Sequence, residues 1–275
     1  MVKKCVGFTA NPGRHNDASE AIKFAVSAAQ KLDFSCAVDP GFLDLFQGDS
    51  CVEELDKASP ELIVAIGGDG TILRTALMAA KRDIPTLGVN LGRIGFLSEV
   101  VLRELPDALK RIARGDYLTE NCMMLECAVN GKQTFRCLND FILYKRAFSG
   151  VSHISIYVDG SDAGSVFADG LIASTPTGST AYSMSAGGPV IAPGLNAVII
   201  TPICPHSLTA RPIVASDKSV VAFVMNSRGY LSADGNQKIA LEKGDWVEVR
   251  RSERSAKLLR LHKRNIYALI RQKLS

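Results

Sequence analysis

Apolar residues follow two different rhythms along the chain. Up to about residue 118, short aliphatic runs alternate with stretches whose apolar positions recur every three or four residues. KKCVGFTA (3–10) is an apolar run that stops at the turn-forming NPGR. DASEAIKFAVSAAQKL (17–32) then places Ile22, Val26 and Ala29 on one helical face behind an Asp/Ser start. ELIVAIGG (61–68) reads as a strand bounded by Ser59-Pro60 and Gly67-Gly68, and TILRTALMAAKR (71–82) as the next helix. IPTLGVN (84–90) is another strand, and LRELPDALKRIARG (102–115) a helix closed by Gly115. Such alternation predicts a parallel sheet with helices on its faces.

From Tyr117 to about Val249 the segments are short, β-rich and cut by turns. LECAVNGKQTFRCLND carries the hairpin dipeptide Asn130-Gly131, and SHISIYVDGSDAGSVF carries Asp159-Gly160. AVIITPI, SVVAFVM and WVEVRR follow, a pattern that predicts an antiparallel, sandwich-like domain. LLRLHKRNIYALIRQKL (258–274) reads as a final helix packing back on the structure. The expected division is therefore an α/β domain over 1–118, an all-β domain over 119–249 and a basic helix within 250–275.

Composition narrows the class. Of 275 residues, 47% are hydrophobic and 22% charged, a balance that fits a folded core and excludes intrinsic disorder. No apolar stretch approaches the length of a membrane span, and MVKKCVGF gives way to polar residues too early for a signal peptide. A cytoplasmic protein is expected. The seven cysteines form no CxxC pair and are expected to be buried, reduced thiols; the four histidines are dispersed, so no metal held by protein ligands is expected. Residues 250–275 hold nine Lys/Arg against Glu253 alone. That charge fits a solvated helix face or a cationic wall near phosphate; no aromatic platform accompanies it, so no nucleic-acid partner is expected.

The candidate chemistry begins at Gly67-Gly68-Asp69-Gly70-Thr71, between a strand and a helix, where open α/β sheets bind ligands. Gly67, Gly68 and Gly70 let phosphate approach the backbone, and free N–H groups at a helix start favour negative charge. A carboxylate there needs a task, either accepting a proton or orienting Mg²⁺. The plain structural alternative makes Asp69 the N-cap of the helix. No G-x-x-x-x-G-K-[ST] occurs, and Leu73 stands where a dinucleotide fingerprint needs its third glycine. A second candidate is DGLIASTPTGSTAYSMSAGGPVIAP (169–193), an apolar strand followed by a loop crowded with hydroxyls, suited to an uncharged polar edge such as adenine or a carboxamide. The third is Asn139-Asp140, whose amide and carboxylate offer donors and acceptors to vicinal hydroxyls.

GGDGT resembles a signature shared by NAD kinases, diacylglycerol kinases, sphingosine kinases and, more loosely, phosphofructokinases. Its continuation GGDGTILR, the stretch GVNLGRIGFLSE (88–99) and above all 169–193 are similar to the NAD kinase family; PHSLTARP (205–212) is as well. The resemblance covers about residues 60–250. It implies transfer of the γ-phosphoryl of ATP to the 2′-hydroxyl of the adenosine ribose of NAD, with Mg²⁺ carried on the ATP. It further implies Asp69 as proton acceptor with Gly70 beside it, and Arg74 as a cation. Asn139 and Asp140 would bind the adenosine ribose, and Thr180, Ala181, Tyr182, Ser183, Met184 and Ser185 would wall the adenine. Asp169 would accept from the nicotinamide carboxamide, and Gln237 would reach the dinucleotide. The family more often has Glu at position 140, and some relatives place a basic residue where this chain has Phe167-Ala168. Family members are homodimers or homotetramers, and the same is expected here. Two rivals differ in class. A lipid kinase would share GGDGT but not TPTGSTAY, and a dinucleotide sensor or nucleic-acid regulator would have no use for Asp69.

Overall fold

The computed structural model describes residues 4–11, 15–92, 95–146, 150–192, 194–263 and 265–274. The chain forms two compact units, one from residues 1–121 and 256–275, the other from 122–255.

In the first unit, β1 (Cys5–Ala10) leads into α1 (His15–Gln30), β2 (Ser35–Val38), β3 (Val52–Glu54) and β4 (Leu62–Ile66). Then come α2 (Asp69–Ala80), β5 (Thr86–Asn90), β6 (Val100–Val101) and α3 (Leu105–Ala113). All the strand pairs are parallel, in the order β3-β2-β1-β4-β5 with β6 beside β5. Chain order reverses between β1 and β4, and the crevice beyond the carboxyl ends of these two strands is where such sheets take ligands. The helices are held by the periodic stripes legible in the sequence. Ile22, Val26 and Ala29 of α1, and Leu105, Leu109 and Ile112 of α3, are buried with Val6, Phe8, Val64 and Ile66 of the strands. Neither β2 nor β3 is among the strands expected from the sequence; each is only a few residues long.

The second unit is an antiparallel sandwich. It uses most of β7 (Leu118–Val129), then β8 (Lys132–Cys137), β9 (Asp140–Lys145), β10 (Ser152–Val158), β11 (Ser161–Ala168) and β12 (Gly170–Ser174). After a short α4 (Tyr182–Ser185) come β13 (Ala197–Ile203), β14 (Ile213–Ser216), β15 (Val221–Met225), β16 (Gly229–Ala233) and β17 (Gln237–Leu241). The chain leaves the unit along β18 (Trp246–Arg260). One layer has the order β14-β13-β12-β9-β16-β17 and the other joins β11-β10-β15-β18 with β7 and β8. Inward positions of both, such as Phe141, Leu171 and Ile200 against Ile154, Phe223 and Val247, make one core. Asn130-Gly131 and Asp159-Gly160 form their turns with positive φ at both residues, 51° and 78° in the first and 52° and 78° in the second.

Two expectations change. The last helix is only α5 (Ile266–Leu274), because residues 250–260 extend β18 and Leu258 pairs with Thr86 of β5. The basic charges of that stretch are therefore not a helix face: Arg250 pairs with Glu126, Arg251 with Asp217, Lys257 with Asp83, and Arg260 with Glu99 and Glu120. Of the cysteines, Cys36, Cys122, Cys127 and Cys137 are buried as expected, but Cys51 and Cys204 are exposed.

Candidate active site

The glycine turn spans the end of β4 and the start of α2. Gly67 has a φ of 154°, donates its N–H to the Val89 carbonyl at 2.8 Å, and lies so near Thr71 that a Cβ would come 2.7 Å from its Oγ1. That position requires glycine. Gly68 is the N-cap of α2, and its carbonyl accepts from the Thr71 and Ile72 amides. A Cβ on Gly68 or Gly70 would meet only open space. That space is a cavity of about 880 Å³ bounded by Gly67, Gly68, Gly70, Thr71 and Arg74, by Asn11 at the end of β1, and by Asp17, Glu20 and Phe24 of α1. A smaller cavity of about 260 Å³ also touches Thr71 and Arg74. The phosphate-turn residues and Arg74 are thus gathered around one hollow at the reversal of strand order. Free amides at a helix N-terminus, with a guanidinium one turn on, suit polyanionic phosphate.

Asp69 faces elsewhere. It is not part of the cavity lining; its Oδ2 accepts from the Phe96 amide at 2.8 Å and its Oδ1 from the Leu97 amide at 3.1 Å. The capping alternative fails, since Gly68 holds that position and Asp69 is already helical. The partner loop is GFLSE, read from sequence only as part of a resemblance. Gly95 packs so closely that a Cβ would stand 2.6 Å from the Asp69 Cγ and Oδ2. Its own amide bonds Ser98 Oγ at 2.6 Å, and the Glu99 amide reaches the Gly88 carbonyl at 2.8 Å. Gly95 and this loop are missing from the sequence-based site, although they determine where the carboxylate points.

In the second unit, Asn139 and Asp140 open β9, with Asp140 opposite Ser174 at the end of β12. Asp234, which the sequence reading passed over, folds its carboxylate under this turn and accepts the amides of Leu138, Asn139 and Asp140 at 2.9, 2.8 and 3.1 Å. Asp140 is only 4% exposed, and burial, then the neighbouring Asp234, push its carboxyl up to about 7. Asp234 is raised too, chiefly by burial, while its three amide bonds pull the other way. The hydroxyl-rich loop leaves β12 at the same place. Thr175 Oγ1 bonds the Leu138 carbonyl at 2.6 Å, and a Cβ on Gly178 would strike the Asn139 backbone, 2.7 Å from its Cα.

Many hydroxyls of this loop are spent within it rather than offered outward. Ser179 Oγ bonds the Pro176 carbonyl and receives the Ile191 amide, Thr180 Oγ1 bonds the Thr177 carbonyl, and buried Ser183 pairs with Thr201. Tyr182 and Ser185 remain exposed, with Ala181 and Met184 half-buried. Gln237 is exposed at the start of β17, next to the Asp234 turn. Asp169 lies at the opposite end of β12, about five residues or roughly 17 Å of strand away. Lys145 Nζ sits 2.5 Å from its Oδ1, so a cation does reach this carboxylate, from β9 rather than from residues 167–168.

Residues 10–117 match the sequence model of the ATP-NAD kinase N-terminal domain, and residues 138–261 that of the C-terminal domain. The chain is similar to the NAD kinase of Moorella thermoacetica, 42% identical over 81% of this chain and 74% of that one. It is likewise similar to those of Syntrophotalea carbinolica, 41% over 78% of each, and Gemmatimonas aurantiaca, 38% over 90% and 88%. The fold is shared with yeast NADH kinase complexed with NADH (TM-score 0.87, 24% identity, 99% of this chain and 87% of that one). It is shared as well with an Archaeoglobus fulgidus NAD kinase in complex with ATP (TM-score 0.78, 23% identity, 98% of each). The chain belongs to the NAD kinase family.

Proposed function

We propose how the residues of this chain divide the work of that family's reaction, transfer of the γ-phosphoryl of ATP to the 2′-hydroxyl of the adenosine ribose of NAD to give NADP. Gly67, Gly68, Gly70 and Thr71 form the phosphate-binding turn, and Arg74, one turn into α2, supplies a cation to the bound NAD. Asp69, with Gly70 beside it, takes the proton of the 2′-hydroxyl. Asn139 and Asp140 bind the adenosine ribose, while Thr180 to Ser185 wall the adenine and ribose and Gln237 reaches the dinucleotide. Tyr182 is the exposed aromatic of that loop, and Asp169 accepts from the nicotinamide carboxamide. Support for the two-ended binding comes from the second unit, where β9 and β12 are paired and Asn139-Asp140 lie at one end of the pair, opposite Ser174, while Asp169 lies at the other.

Phosphoryl transfer to an alcohol proceeds through a loose transition state, so alignment and charge neutralisation outweigh a strong base. The carboxylates of Asp17 and Glu20 on the cavity wall, with Asn90 nearby, are oxygen donors that fit a divalent cation carried on nucleotide phosphates. Mg²⁺ bound there would neutralise charge on the transferred group. The observation that carries the assignment of Asp69 is its fixation: each oxygen has one amide donor and a lone pair to spare, at the positive end of α2. Asp69→Asn keeps the shape and should lower kcat by about 10²–10⁴-fold while NAD affinity stays within about tenfold. Near-normal turnover in that variant removes Asp69 from the chemistry. The same reading carries a cytoplasmic enzyme assembled as a homodimer or homotetramer, which sedimentation of the purified protein reads directly.

A further inference from the structure

Arg260 is one of the most deeply buried charged residues described, with its side chain 5% exposed. It closes β18 within the first unit. Its Nε donates to Glu120 Oε2 at 2.6 Å, and its Nη1 donates to the Leu97 carbonyl at 3.1 Å and lies 3.4 Å from Glu99 Oε2. Glu99 is itself tied down: its Oε1 accepts the Leu261 amide at 2.9 Å, and its own amide holds Gly88 of β5. Gly88 has no room for a side chain, because a Cβ would lie 2.9 Å from the Leu97 carbonyl and 3.0 Å from Ser98 Cα. The backbone of residues 97–99 is therefore clamped between the side of β5 and the end of β18. The Leu97 residue gripped through its carbonyl is the one whose amide holds Asp69 Oδ1.

A buried guanidinium with two carboxylates is a poor choice for stability alone, since apolar residues of similar volume often serve as well or better. What the guanidinium offers is a rigid fork that directs several donors at once. We propose that Arg260 is a positioning residue for phosphoryl transfer: it fixes the Leu97 carbonyl and thereby the paired amides that aim the Asp69 carboxylate. The proposal rests on the reading of Asp69 as proton acceptor. Arg260 touches neither substrate; it acts through the loop.

The test is Arg260→Lys in the full-length protein, read by steady-state kinetics and by hydrogen exchange of the peptide containing Phe96 and Leu97. Lysine keeps a positive charge beside Glu99 and Glu120 but cannot bond Glu120 and the Leu97 carbonyl with one fixed fork. The expected result is a kcat at least tenfold lower with KM for NAD and ATP within threefold. Exchange at residues 96–97 should be at least tenfold faster, with β4 and α2 peptides unchanged. A normal kcat overturns the proposal, as does a lowered kcat with unchanged exchange at 96–97. Should Arg260→Lys fold poorly, Glu120→Gln, which weakens only the Nε anchor, must show the same kcat loss and faster exchange in smaller degree; no change in either overturns it. Failure of the underlying reading looks different: Asp69→Asn would then turn over normally while exchange in the Arg260 variant still rose.

Discussion

Gly95→Ala isolates the placement of the Asp69 carboxylate from its chemistry, because one methyl group is added and no functional group is removed. Gly95 has no positive φ, so alanine brings no backbone penalty, and the effect is steric. The added Cβ would lie 2.6 Å from both Cγ and Oδ2 of Asp69 and closer still to its Oδ1. An ordinary carbon–oxygen contact is about 3.3 Å, so relieving the tightest of these contacts moves the carboxylate by about an ångström or more. The obstacle is the free end of a side chain rather than packed backbone, so Asp69 can swing away and the fold survives. Leaving the Phe96 and Leu97 amides forfeits two hydrogen bonds to a charged acceptor, each worth about 1.5–3 kcal/mol when buried. Asp69 is half-buried and water replaces part of that, so we expect a loss of about 1–3 kcal/mol. A displacement of about 1 Å at a reacting group can cost on the order of 10²-fold in rate. The expected outcome is a kcat about 10²-fold lower, KM for ATP within about threefold, and a melting temperature lower by roughly 2–10 °C. NADP formation by the purified variant, coupled to a dehydrogenase that consumes NADP, measures the rate, and calorimetry measures the stability. A variant that folds with kcat within threefold of the parent would show that the carboxylate need not sit where the loop holds it.

Tyr182→Ala should raise KM for NAD about tenfold with kcat little changed, because loss of one aromatic stacking partner costs about 1–3 kcal/mol. Tyr182 is 44% exposed, so melting should hardly move, and an unchanged KM for NAD would place the loop outside the substrate site. Asp140→Asn tests the buried carboxyl pair. In the fold the Asp140 carboxyl titrates at about 7, raised by burial and then by Asp234, whereas in the unfolded chain it titrates in the ordinary range near 4. The fold therefore binds more protons across that interval, and stability falls as pH rises through it, by up to about 1.4 kcal/mol per unit. Relative to the parent, Asp140→Asn should be more stable near pH 8 than near pH 5 by roughly 2–4 kcal/mol in urea unfolding; parallel curves would contradict the assignment.

The alternation of strand and helix was legible because each long element carries its own period, and Ile22, Val26 and Ala29 are buried as that period requires. The glycine turn was equally legible, since Gly67, Gly68 and Gly70 can be read as backbone freedom before any coordinates exist. Reading failed where tertiary pairing overrules local pattern. Leu258, Leu259 and Leu261 with their basic neighbours imitate a helix, yet Leu258 lies against Thr86 as a strand. It failed again where the partner is distant in sequence: Asp234 holds amides 94 to 96 residues away, and no local pattern could announce it. Composition also could not show that several hydroxyls of the loop after β12 serve the loop itself: those of Thr175, Ser179, Thr180 and Ser183 bond within the protein.

The order of residues in Gly-Gly-Asp-Gly-Thr has a geometric meaning that the turn's composition alone does not convey. Successive helical residues are about 100° apart, so Gly70, Thr71 and Arg74 share a face while Asp69 belongs to the face that continues through Ile72 and Leu73. Accordingly the first three border the large cavity, whereas Ile72 and Leu73 are buried and Asp69 turns to the loop over β5. A carboxylate pointing into the hollow from the turn itself would compete with phosphate for the helix's free amides; one face round, it meets two backbone amides and the positive end of the helix. Moving the aspartate by one position, to 68 or 70, would direct it at the anion and remove it from Phe96 and Leu97. The arrangement thus lets one turn receive negative charge on one side and hold a proton acceptor on the other, with the α2 N-terminus serving both.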